Sequence, residues 1–410
     1  MKLGKIAWRN IRRNTRRSIL SMSAVAIAAM TFVFLFSMIE GMKQDVAYNL
    51  QTFVTGEVRI RHSEFEKYKH LNPLHLGIED YTEVTARLEG MDAVASISPR
   101  IKFPTAIYKE GNTYRAQGQG VDFEREAEYQ EIAQYVVKGR LPRNGENEVL
   151  VASGLAKEMN LDIGDNFTLL TQTRGRGMNA ITFKITGLSH YDFDGLNSSF
   201  FQAPIDRVQY FLRMDNSVSE ILMKLKDGYS AEEFAARLDS ELPGWGRPQL
   251  EARMWKDISQ TYSFVMMADA IYFIIALMFF LLGSTVIVNT MMMTIYERRK
   301  EIGTISAMGM TGPEVVRLFF LEAFYIAVIG SFTGVLLGIG FTYPTTIYGL
   351  GFSEAMQGVD FEMSTVLKPV LNLKSTIFVF IYSTFIASVA SFIPSRKSAK
   401  IEPVEALRAI

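Results

Sequence analysis

The most distinct pattern in the sequence is four long apolar windows that contain no charged side chain. An α-helix needs about 20 apolar residues to cross the hydrocarbon core of a bilayer, and each window meets that length. The pattern therefore predicts a membrane protein with four transmembrane helices, and it argues against a soluble globule. The windows are Ser18–Ile39, Ala270–Tyr296, Ala323–Tyr343 and Ser375–Ser395.

Between the first two windows, residues 40–262 show the periodicities of a folded α/β domain. One β-α-β piece is predicted at each end, and the two pieces flank an insertion at about 101–217. This order predicts a split βαβ subdomain that carries a second subdomain in its middle. The predicted elements are the strands Glu57–His62, Ala93–Ser98, Glu220–Leu225 and Gln249–Arg253, and the helices Thr82–Leu88 and Ala231–Leu242.

The insertion itself is predicted to be rich in strands. Lys109–Asn112 and Arg174–Asn179 each lie between alternating segments, which is typical of hairpin turns. Glu148–Val151 is predicted as a further strand, followed by a short helix over Ser153–Asn160.

Apolar residues at helical spacing continue out of the membrane on both sides of this domain. Such stripes form helix–helix seams, so they predict a stiff stalk that includes one unbroken helix from Trp255 to Tyr296. The alternative is ordinary packing of two amphipathic helices against the domain. The stalk residues are Ile39, Met42 and Val46 after the first span, and Trp255, Ile258 and Tyr262 before the second.

The charges resolve the orientation, although 43 basic and 43 acidic residues cancel over the whole chain. Residues 1–17 carry +7, 297–317 carry +1, 396–410 carry +2, and 40–262 carry −7. Basic segments beside spans stay in the cytoplasm, so both termini are expected there.

A cleavable signal peptide is the alternative reading of the N-terminus. The apolar run continues past its cleavage-like sites to Phe36, which favours a retained anchor.

The predicted organisation follows from these spans and charges. In order it comprises a cytoplasmic amphipathic segment (1–17), the first span (18–39), an extracytoplasmic domain with stalk ends (40–262), the second span (263–296), a cytoplasmic loop (297–317), the third span (318–343), an external loop (344–374), the fourth span (375–395) and a cytoplasmic tail (396–410).

The sequence lacks recognisable motifs for catalysis, phosphate binding and metal binding. The chain has no cysteine, no G-x-x-x-x-G-K-[ST] loop, and four histidines without metal-ligand spacing. The acidic residues from Asp122 to Glu131 are interpreted as a solvated helix face, and the alternative is a surface that attracts a cation or a basic partner. No ionisable residue lies near a span centre, since Asp269 and Glu322 are close to span ends, which disfavours an ion-coupled carrier.

Two further segments predict contacts of the spans. Gly330, Gly334 and Gly338 recur every four residues and allow close helix approach, either to another span of this chain or, less favoured, to a second copy. The loop between spans two and three predicts a short amphipathic helix, Ile302–Met310, and a capping box formed by Thr311 and Glu314. This helix either binds a soluble partner or rests on lipid headgroups.

The same loop resembles the signature of the FtsX-like permease family, which includes MacB-type ABC transporters and lipoprotein-releasing (LolC/LolE-type) permeases. The segments Ile6–Leu20 and Pro394–Arg408 also resemble this family's first helix and C-terminal tail. The resemblance implies a porter-like split subdomain with a sabre-like insertion. It also implies a coupling helix seated on the ATPase, formed by Glu297, Arg298, Arg299, Lys300, Glu301, Ile302 and Gly303, followed by Ala307, Met308 and Gly309.

The resemblance implies a non-enzymatic permease of the bacterial inner membrane. ATP and Mg²⁺ are expected on a separate ABC ATPase dimer, and the other expected partners are a second permease copy, identical or paralogous, membrane lipids and a lipoprotein or other envelope substrate. Recruitment of a periplasmic carrier stays open, because the candidate hairpin Thr171–Thr182 is short and lacks proline. The alternatives are export of another envelope substrate and FtsX-like signalling to a cell-wall hydrolase. No metal, cofactor or nucleic acid is expected on this chain.

Overall fold

The structure is a computed structural model that describes residues 3–109, 111–192, 194–351, 364 and 366–398. The chain divides into two compact units. The membrane unit comprises Met1–Lys43, Val265–Gly351 and Leu367–Ile410. The extracytoplasmic unit comprises Gln44–Phe264 and Phe352–Val366. The first unit is helical, and the second is built on one large sheet.

Four of the helices are much longer than the others. In chain order the α-helices of the described residues are α1 (Leu3–Arg13), α2 (Thr15–Asn49), α3 (Phe65–Tyr68), α4 (Tyr81–Glu89), α5 (Phe123–Tyr129), α6 (Ser153–Glu158), α7 (Asp194–Ser199), α8 (Ile205–Leu212), α9 (Ala231–Glu241), α10 (Trp255–Ile258), α11 (Gln260–Glu297), α12 (Arg299–Ala307), α13 (Gly312–Tyr348) and α14 (Leu373–Ser398).

The strands alternate with short helices through the middle of the chain. They are β1 (Val58–His62), β2 (Ile78–Glu79), β3 (Val94–Lys109), β4 (Asn112–Val121), β5 (Val136–Gly139), β6 (Glu148–Ala152), β7 (Asn166–Gln172), β8 (Met178–Ser189), β9 (Phe200–Pro204), β10 (Ser217–Val218), β11 (Glu220–Leu225), β12 (Leu250–Met254), β13 (Leu350–Gly351) and β14 (Val366–Leu367).

The helices α2, α11, α13 and α14 are each long and apolar enough to cross a membrane. Each of the four apolar windows in the sequence lies inside one of them, so the four predicted spans are confirmed as continuous helices. The predicted external loop 344–374 and tail 396–410 extend into residues 352–363, 365 and 399–410, which lie outside the described part of the chain.

The glycine row of α13 lies directly against the backbone of α2. A methyl group added to Gly334 would lie 2.3 Å from the carbonyl oxygen of Ala26, and one added to Gly330 would lie 2.8 Å from that of Met22. Gly338 packs against the same helix. Small residues let helix backbones approach this closely, and in lipid such packing replaces the hydrophobic effect as the source of helix association.

The extracytoplasmic unit contains a ten-stranded sheet. Its path runs β12-β1-β11-β3-β4-β9-β6-β8-β5, and β7 pairs with β3 and β8. The first four strands pair antiparallel throughout. The connection from β1 to β3 contains α4, and the connection from β11 to β12 contains α9, so two β-α-β pieces interleave in one sheet. Leu88 and Leu238 of these helices are buried in one apolar cluster with Ile60 and Ile221 of the strands.

The strand expected at Ala93–Ser98 is much longer than predicted, because β3 runs without interruption to Lys109. Its first half pairs with β11, and its second half pairs with β4 and β7. The strands of residues 101–217 therefore continue the same sheet. The alternation of buried Ile101, Phe103 and Ile107 explains why the strand persists.

The single helix predicted from Trp255 to Tyr296 is wrong. The short α10 ends at Ile258, and Ser259 has extended backbone angles, φ −88° and ψ 119°. The Ser259 hydroxyl accepts the backbone N–H of Tyr262 at 3.1 Å, the bond by which a serine N-caps a helix. A new helix, α11, therefore begins at Gln260.

The acidic segment Asp122–Glu131 is not wholly a solvated face, and at Glu126 that interpretation is wrong. Glu126 is fully buried, and its carboxylate accepts hydrogen bonds from Arg100 Nε at 2.9 Å and Arg100 Nη2 at 3.0 Å. Arg100 is itself only 1% exposed. A buried carboxylate requires such a partner, and the partner comes from β3, far away in sequence.

Candidate functional site

The loop between the second and third spans forms its own helix, shifted from the predicted position. The sequence predicts Ile302–Met310, whereas α12 comprises Arg299–Ala307. Arg298 leaves helical geometry at φ −99° and ψ 17°, which separates α12 from α11. Gly309 has φ +101°, a conformation that glycine adopts without strain, and it terminates the helix.

A capping box begins the next helix at the predicted residues. The Glu314 carboxylate accepts the backbone N–H of Thr311 at 2.9 Å and the Thr311 hydroxyl at 3.0 Å. The Thr311 side chain in turn accepts the backbone N–H of Glu314, so the two residues satisfy two backbone donors that the start of α13 leaves unpaired. The predicted capping box is therefore confirmed, and α12 is held between two defined helix ends.

One face of α12 is anchored among the spans. Ile302 and Gly303 are buried, and Ile302 belongs to an apolar cluster with Ile295, Val315 and Phe319. Burying a side chain of this size contributes about 1.5–3 kcal/mol. Ile302 therefore fixes α12 to the ends of α11 and α13 and does not face outward.

The opposite side of α12 is exposed, and its C-terminal end carries the most accessible apolar group. Met308 is 75% exposed. Isolated apolar side chains of this size at a loop tip suit insertion into a pocket of a partner, because methionine adapts its shape to the pocket. The exposed residues from the predicted coupling set are Glu297, Lys300, Glu301, Ala307, Met308 and Gly309, while Arg298 and Arg299 are half-buried.

Two acidic residues of the predicted coupling segment are engaged within the chain. Arg13 Nη2 donates to both carboxylate oxygens of Glu301, at 2.6 and 2.7 Å, and Arg298 Nε donates to the same group at 2.7 Å. Partial burial alone would raise the pKa of Glu301, but these hydrogen bonds hold its pKa below the ordinary value. Arg17 pairs with Glu297 and also donates to the Thr294 hydroxyl at 2.7 Å.

A third polar contact joins α1 to α13. Glu322 is 5% exposed and is therefore buried in the membrane unit. Its carboxylate accepts Asn10 Nδ2 at 2.5 Å and lies 3.6 Å from Arg298 Nη1. Nearby, the rings of Trp8 and Tyr325 meet edge to face at 6.0 Å. The amphipathic helix α1 is thus docked on α13.

The site residues that sequence reasoning missed are Asn10, Arg13 and Arg17. The two arginines entered the prediction only as part of the +7 charge that sets the orientation. Their spacing of four residues, matched by that of Glu297 and Glu301, is a signal that complementary pairs on two helix segments produce. No local pattern marks Asn10, because its partner Glu322 is 312 residues away.

The predicted stalk residues occupy mixed environments. Ile39, Val46 and Trp255 are buried, whereas Met42, Ile258 and Tyr262 are half-buried. The rings of Trp255 and Tyr262 pack at 4.8 Å across the break at Ser259. Within the described residues, no group of three histidine, aspartate or glutamate side chains is arranged to hold a metal ion.

Comparisons with known proteins agree with this architecture. The model described as the FtsX-like permease C-terminal matches residues 273–403, and the MacB-like periplasmic core domain matches residues 18–241, more than half of the chain. The lipoprotein-releasing system transmembrane protein LolC of Xylella fastidiosa (strain Temecula1) is 22% identical over 363 residues, which cover 86% of this chain and 87% of LolC.

Two further matches cover smaller shares of this chain. The macrolide export ATP-binding/permease protein MacB of Vibrio parahaemolyticus is 32% identical over 133 residues, which cover 32% of this chain and 18% of that protein. The crystal structure of the periplasmic region of MacB from Actinobacillus actinomycetemcomitans has 13% identity and a TM-score of 0.38, covering 55% of this chain and 95% of that one. On the two family models, the chain belongs to the FtsX-like and MacB-like family of ABC transporter permeases.

Proposed function

We propose that this chain is the non-catalytic permease subunit of an ABC transporter of the LolCDE or MacB type. It sits in the bacterial inner membrane with α1, α12 and both termini in the cytoplasm, where two copies, identical or paralogous, bind a separate ATPase dimer that holds ATP and Mg²⁺. Closure of that dimer moves the spans, and the spans move the extracytoplasmic unit in the periplasm. That movement releases a lipoprotein from the inner membrane.

The observation that carries this proposal is the construction of α12. Ile302 fixes one face of the helix to the spans, Met308 projects from its end, and Arg13 joins it to α1. A partner that binds Met308 can therefore transmit force to α2 and α13, because Ile302 packs in one apolar cluster with Val25 of α2 and Phe319 of α13. An interfacial helix resting on lipid would need neither the ion pairs nor an isolated apolar tip.

The relatives support a lipoprotein as cargo. The relative named as a lipoprotein-releasing protein matches 86% of this chain, whereas the macrolide exporter matches 32%. We assign the four antiparallel strands β12-β1-β11-β3 to a porter-like split subdomain and the strands of residues 101–217 to a sabre-like insertion, and the order of the strands in the sheet supports this assignment. Export of another envelope substrate is the second candidate, favoured by the matches to MacB relatives and to the MacB-like periplasmic core domain.

The coupling role is tested by Met308→Asp in the full-length chain, purified in complex from its native membrane. We expect the copurified ATPase and the ATP hydrolysis of the complex to fall at least about tenfold, since burying an unpaired carboxylate in an apolar pocket costs several kcal/mol. Val137→Asp is the matched control, because Val137 is an apolar residue that is 61% exposed on β5. Full ATP hydrolysis by Met308→Asp would overturn the coupling role.

The cargo is tested by depleting the protein from growing cells. We expect lipoproteins to accumulate in the inner-membrane fraction. Normal lipoprotein sorting together with greater sensitivity to exported drugs would instead favour the second candidate.

A further inference from the structure

The chain segment that follows α2 ends in an unusual way. Residues Leu50–Val54 form a π-helical turn, closed by a hydrogen bond from the Thr55 N–H to the Leu50 carbonyl at 2.7 Å. These residues and the sheet belong to the same compact unit. A helix leaves its last four carbonyls without intrahelical partners and carries partial negative charge there, so this end requires donors from elsewhere.

Four successive carbonyls of this end are each capped by a side chain. Tyr129 donates its hydroxyl to the Gln51 carbonyl at 2.9 Å. Arg100 donates to the Thr52 carbonyl at 3.3 Å and to the Phe53 carbonyl at 2.7 Å, and Lys102 donates to the Val54 carbonyl at 2.7 Å. We call Arg100, Lys102 and Tyr129 the carbonyl clamp.

The clamp is itself held by buried acids. Glu126 accepts two hydrogen bonds from Arg100, and Ser98 Oγ accepts Arg100 Nε at 2.8 Å. Glu220 lies 2.8 Å from Lys102 Nζ and is fully buried. Arg100 and Lys102 lie on β3, the strand that joins both parts of the sheet. The end of the helix is therefore bonded to the strand through which the whole sheet is connected.

We propose that the carbonyl clamp is a positioning device that locks the end of the α2 helical segment to β3, so that this segment and the sheet move as one body. The inference rests on the proposed function for its purpose, because a transporter that works by moving its extracytoplasmic unit needs a rigid joint at this end. Hydrogen bonds to charged donors supply that rigidity, since they are about twice as strong as neutral ones.

If the clamp is rigid, the distance between α2 and β3 should stay fixed. The chain contains no cysteine, so spin labels attached to Gln44→Cys and Tyr108→Cys report only on these two exposed positions, one on α2 and one on β3. In the full-length chain in lipid nanodiscs, we expect a single narrow label–label distance distribution. That distribution stays unchanged when the native complex is trapped with ATP and vanadate.

The variant that breaks the clamp removes its buried charges in pairs. Arg100→Met with Glu126→Leu leaves no unpaired charge, so the fold is retained, yet two carbonyls lose their donors. We expect the distance distribution to broaden about twofold or more as the helix end frays. We expect Lys102→Met to broaden the distance distribution less, because only one carbonyl loses its donor. Lys102→Arg keeps a donor at this position and should show the same narrow distribution as the native chain.

Arg61→Met is the matched control. Arg61 is a buried arginine on β1 whose Nη2 lies 2.9 Å from the same Glu220 and whose Nη1 donates to the Glu66 carboxylate at 2.9 Å. We expect Arg61→Met to lose about as much stability as the Arg100/Glu126 variant, but without broadening the label–label distance distribution. An unchanged distribution in the Arg100/Glu126 variant, or equal broadening in Arg61→Met, would overturn the clamp.

These outcomes are separate from those of the proposed function. The label–label distance measured without nucleotide tests the clamp and does not depend on ATP hydrolysis. Absence of ATP hydrolysis in the native complex would reject the proposed function and leave the nucleotide-free result standing.

Discussion

The two units of this chain handle charge in opposite ways. The extracytoplasmic unit places ionised side chains in its interior, where Glu220 is surrounded by Arg59, Arg61 and Lys102. In the membrane unit, the ion pairs of the described residues lie mostly at exposed helix ends, as with Arg13 and Glu301, and the contact of Arg298 with the buried Glu322 is the exception. The interior of the membrane unit is instead closed by glycine and other small residues on α13.

Under the proposed function, this difference separates a part of the chain that stays fixed from a part that changes. A buried ion pair is costly to form and very costly to break on one side, so it defines one arrangement. An exposed pair contributes little and is easily rearranged. The buried cluster therefore suits a joint that must stay fixed, and the exposed pairs suit a contact that changes during a transport cycle.

The largest expected effect is on the free energy of unfolding. It comes from the buried ion cluster around Glu220 and depends on pH. Burial alone would raise the pKa of Glu220, but Lys102, Arg61 and Arg59 outweigh burial and lower it to about 2, from 4.5. Because the folded-state value is the lower one, the carboxylate stabilises the fold above pH 4.5. That contribution, about 3 kcal/mol, is lost as the pH falls from 4.5 towards 2.

Glu220→Gln isolates this contribution. At pH 7 we expect the variant to unfold with a free energy about 3 kcal/mol lower than the native chain, because three cations lose their counterion. At pH 2 the two proteins should have nearly equal stability. Urea unfolding in detergent, followed by far-ultraviolet circular dichroism, measures both values. A difference that persists at pH 2 would show that the carboxylate charge is not the cause.

The next effect tests the interior of the membrane unit. Gly334→Ala is expected to destabilise the folded chain by about 2 kcal/mol, because the new methyl group would lie 2.3 Å from the Ala26 carbonyl oxygen and force the helices apart. Gly340→Ala is the control on the same helix, where an added methyl group meets nothing within 4 Å. Since alanine favours helix by about 1 kcal/mol over glycine, this control should be neutral or stabilising.

Unfolding by titration with sodium dodecyl sulfate compares the two glycine variants. Opposite signs would establish that helix contact, and not helix propensity, governs Gly334. Equal effects at Gly334 and Gly340 would contradict the close packing of α13 on α2.

The parts of the molecule that sequence reasoning predicted are those with local signals. The four spans are continuous apolar runs, and the strand Glu220–Leu225 has the bounds that its alternation predicts. The capping box at Thr311 and Glu314 depends on residues three apart. In each case the residues that determine the structure are neighbours in sequence, so their pattern is sufficient.

The misses have partners that are distant in sequence or a local signal that a stronger pattern concealed. Glu126, on α5, is buried because Arg100 reaches it from β3, 26 residues away in sequence. Arg13 and Glu301 are 288 residues apart. Ser259 is different, because an N-cap serine is a local signal. There the apolar stripe through Trp255 and Tyr262 favoured an unbroken helix and outweighed it.

The smallest expected effect tests the exposed pairs of the membrane unit. Arg13→Glu removes the two hydrogen bonds to Glu301 and adds a like charge, yet the stability of the folded chain should fall by less than about 1 kcal/mol, since both side chains are about half exposed. The change should instead appear locally, as faster hydrogen exchange of the α12 amides. Arg12→Glu makes the same charge change one residue away and should leave that exchange unchanged.

Added salt screens exposed charges, so at 1 M salt the native chain should approach the Arg13→Glu exchange rates, while the stability gap caused by Glu220→Gln persists. If salt instead closed both gaps equally, the distinction between a fixed buried joint and an adjustable exposed contact would fail.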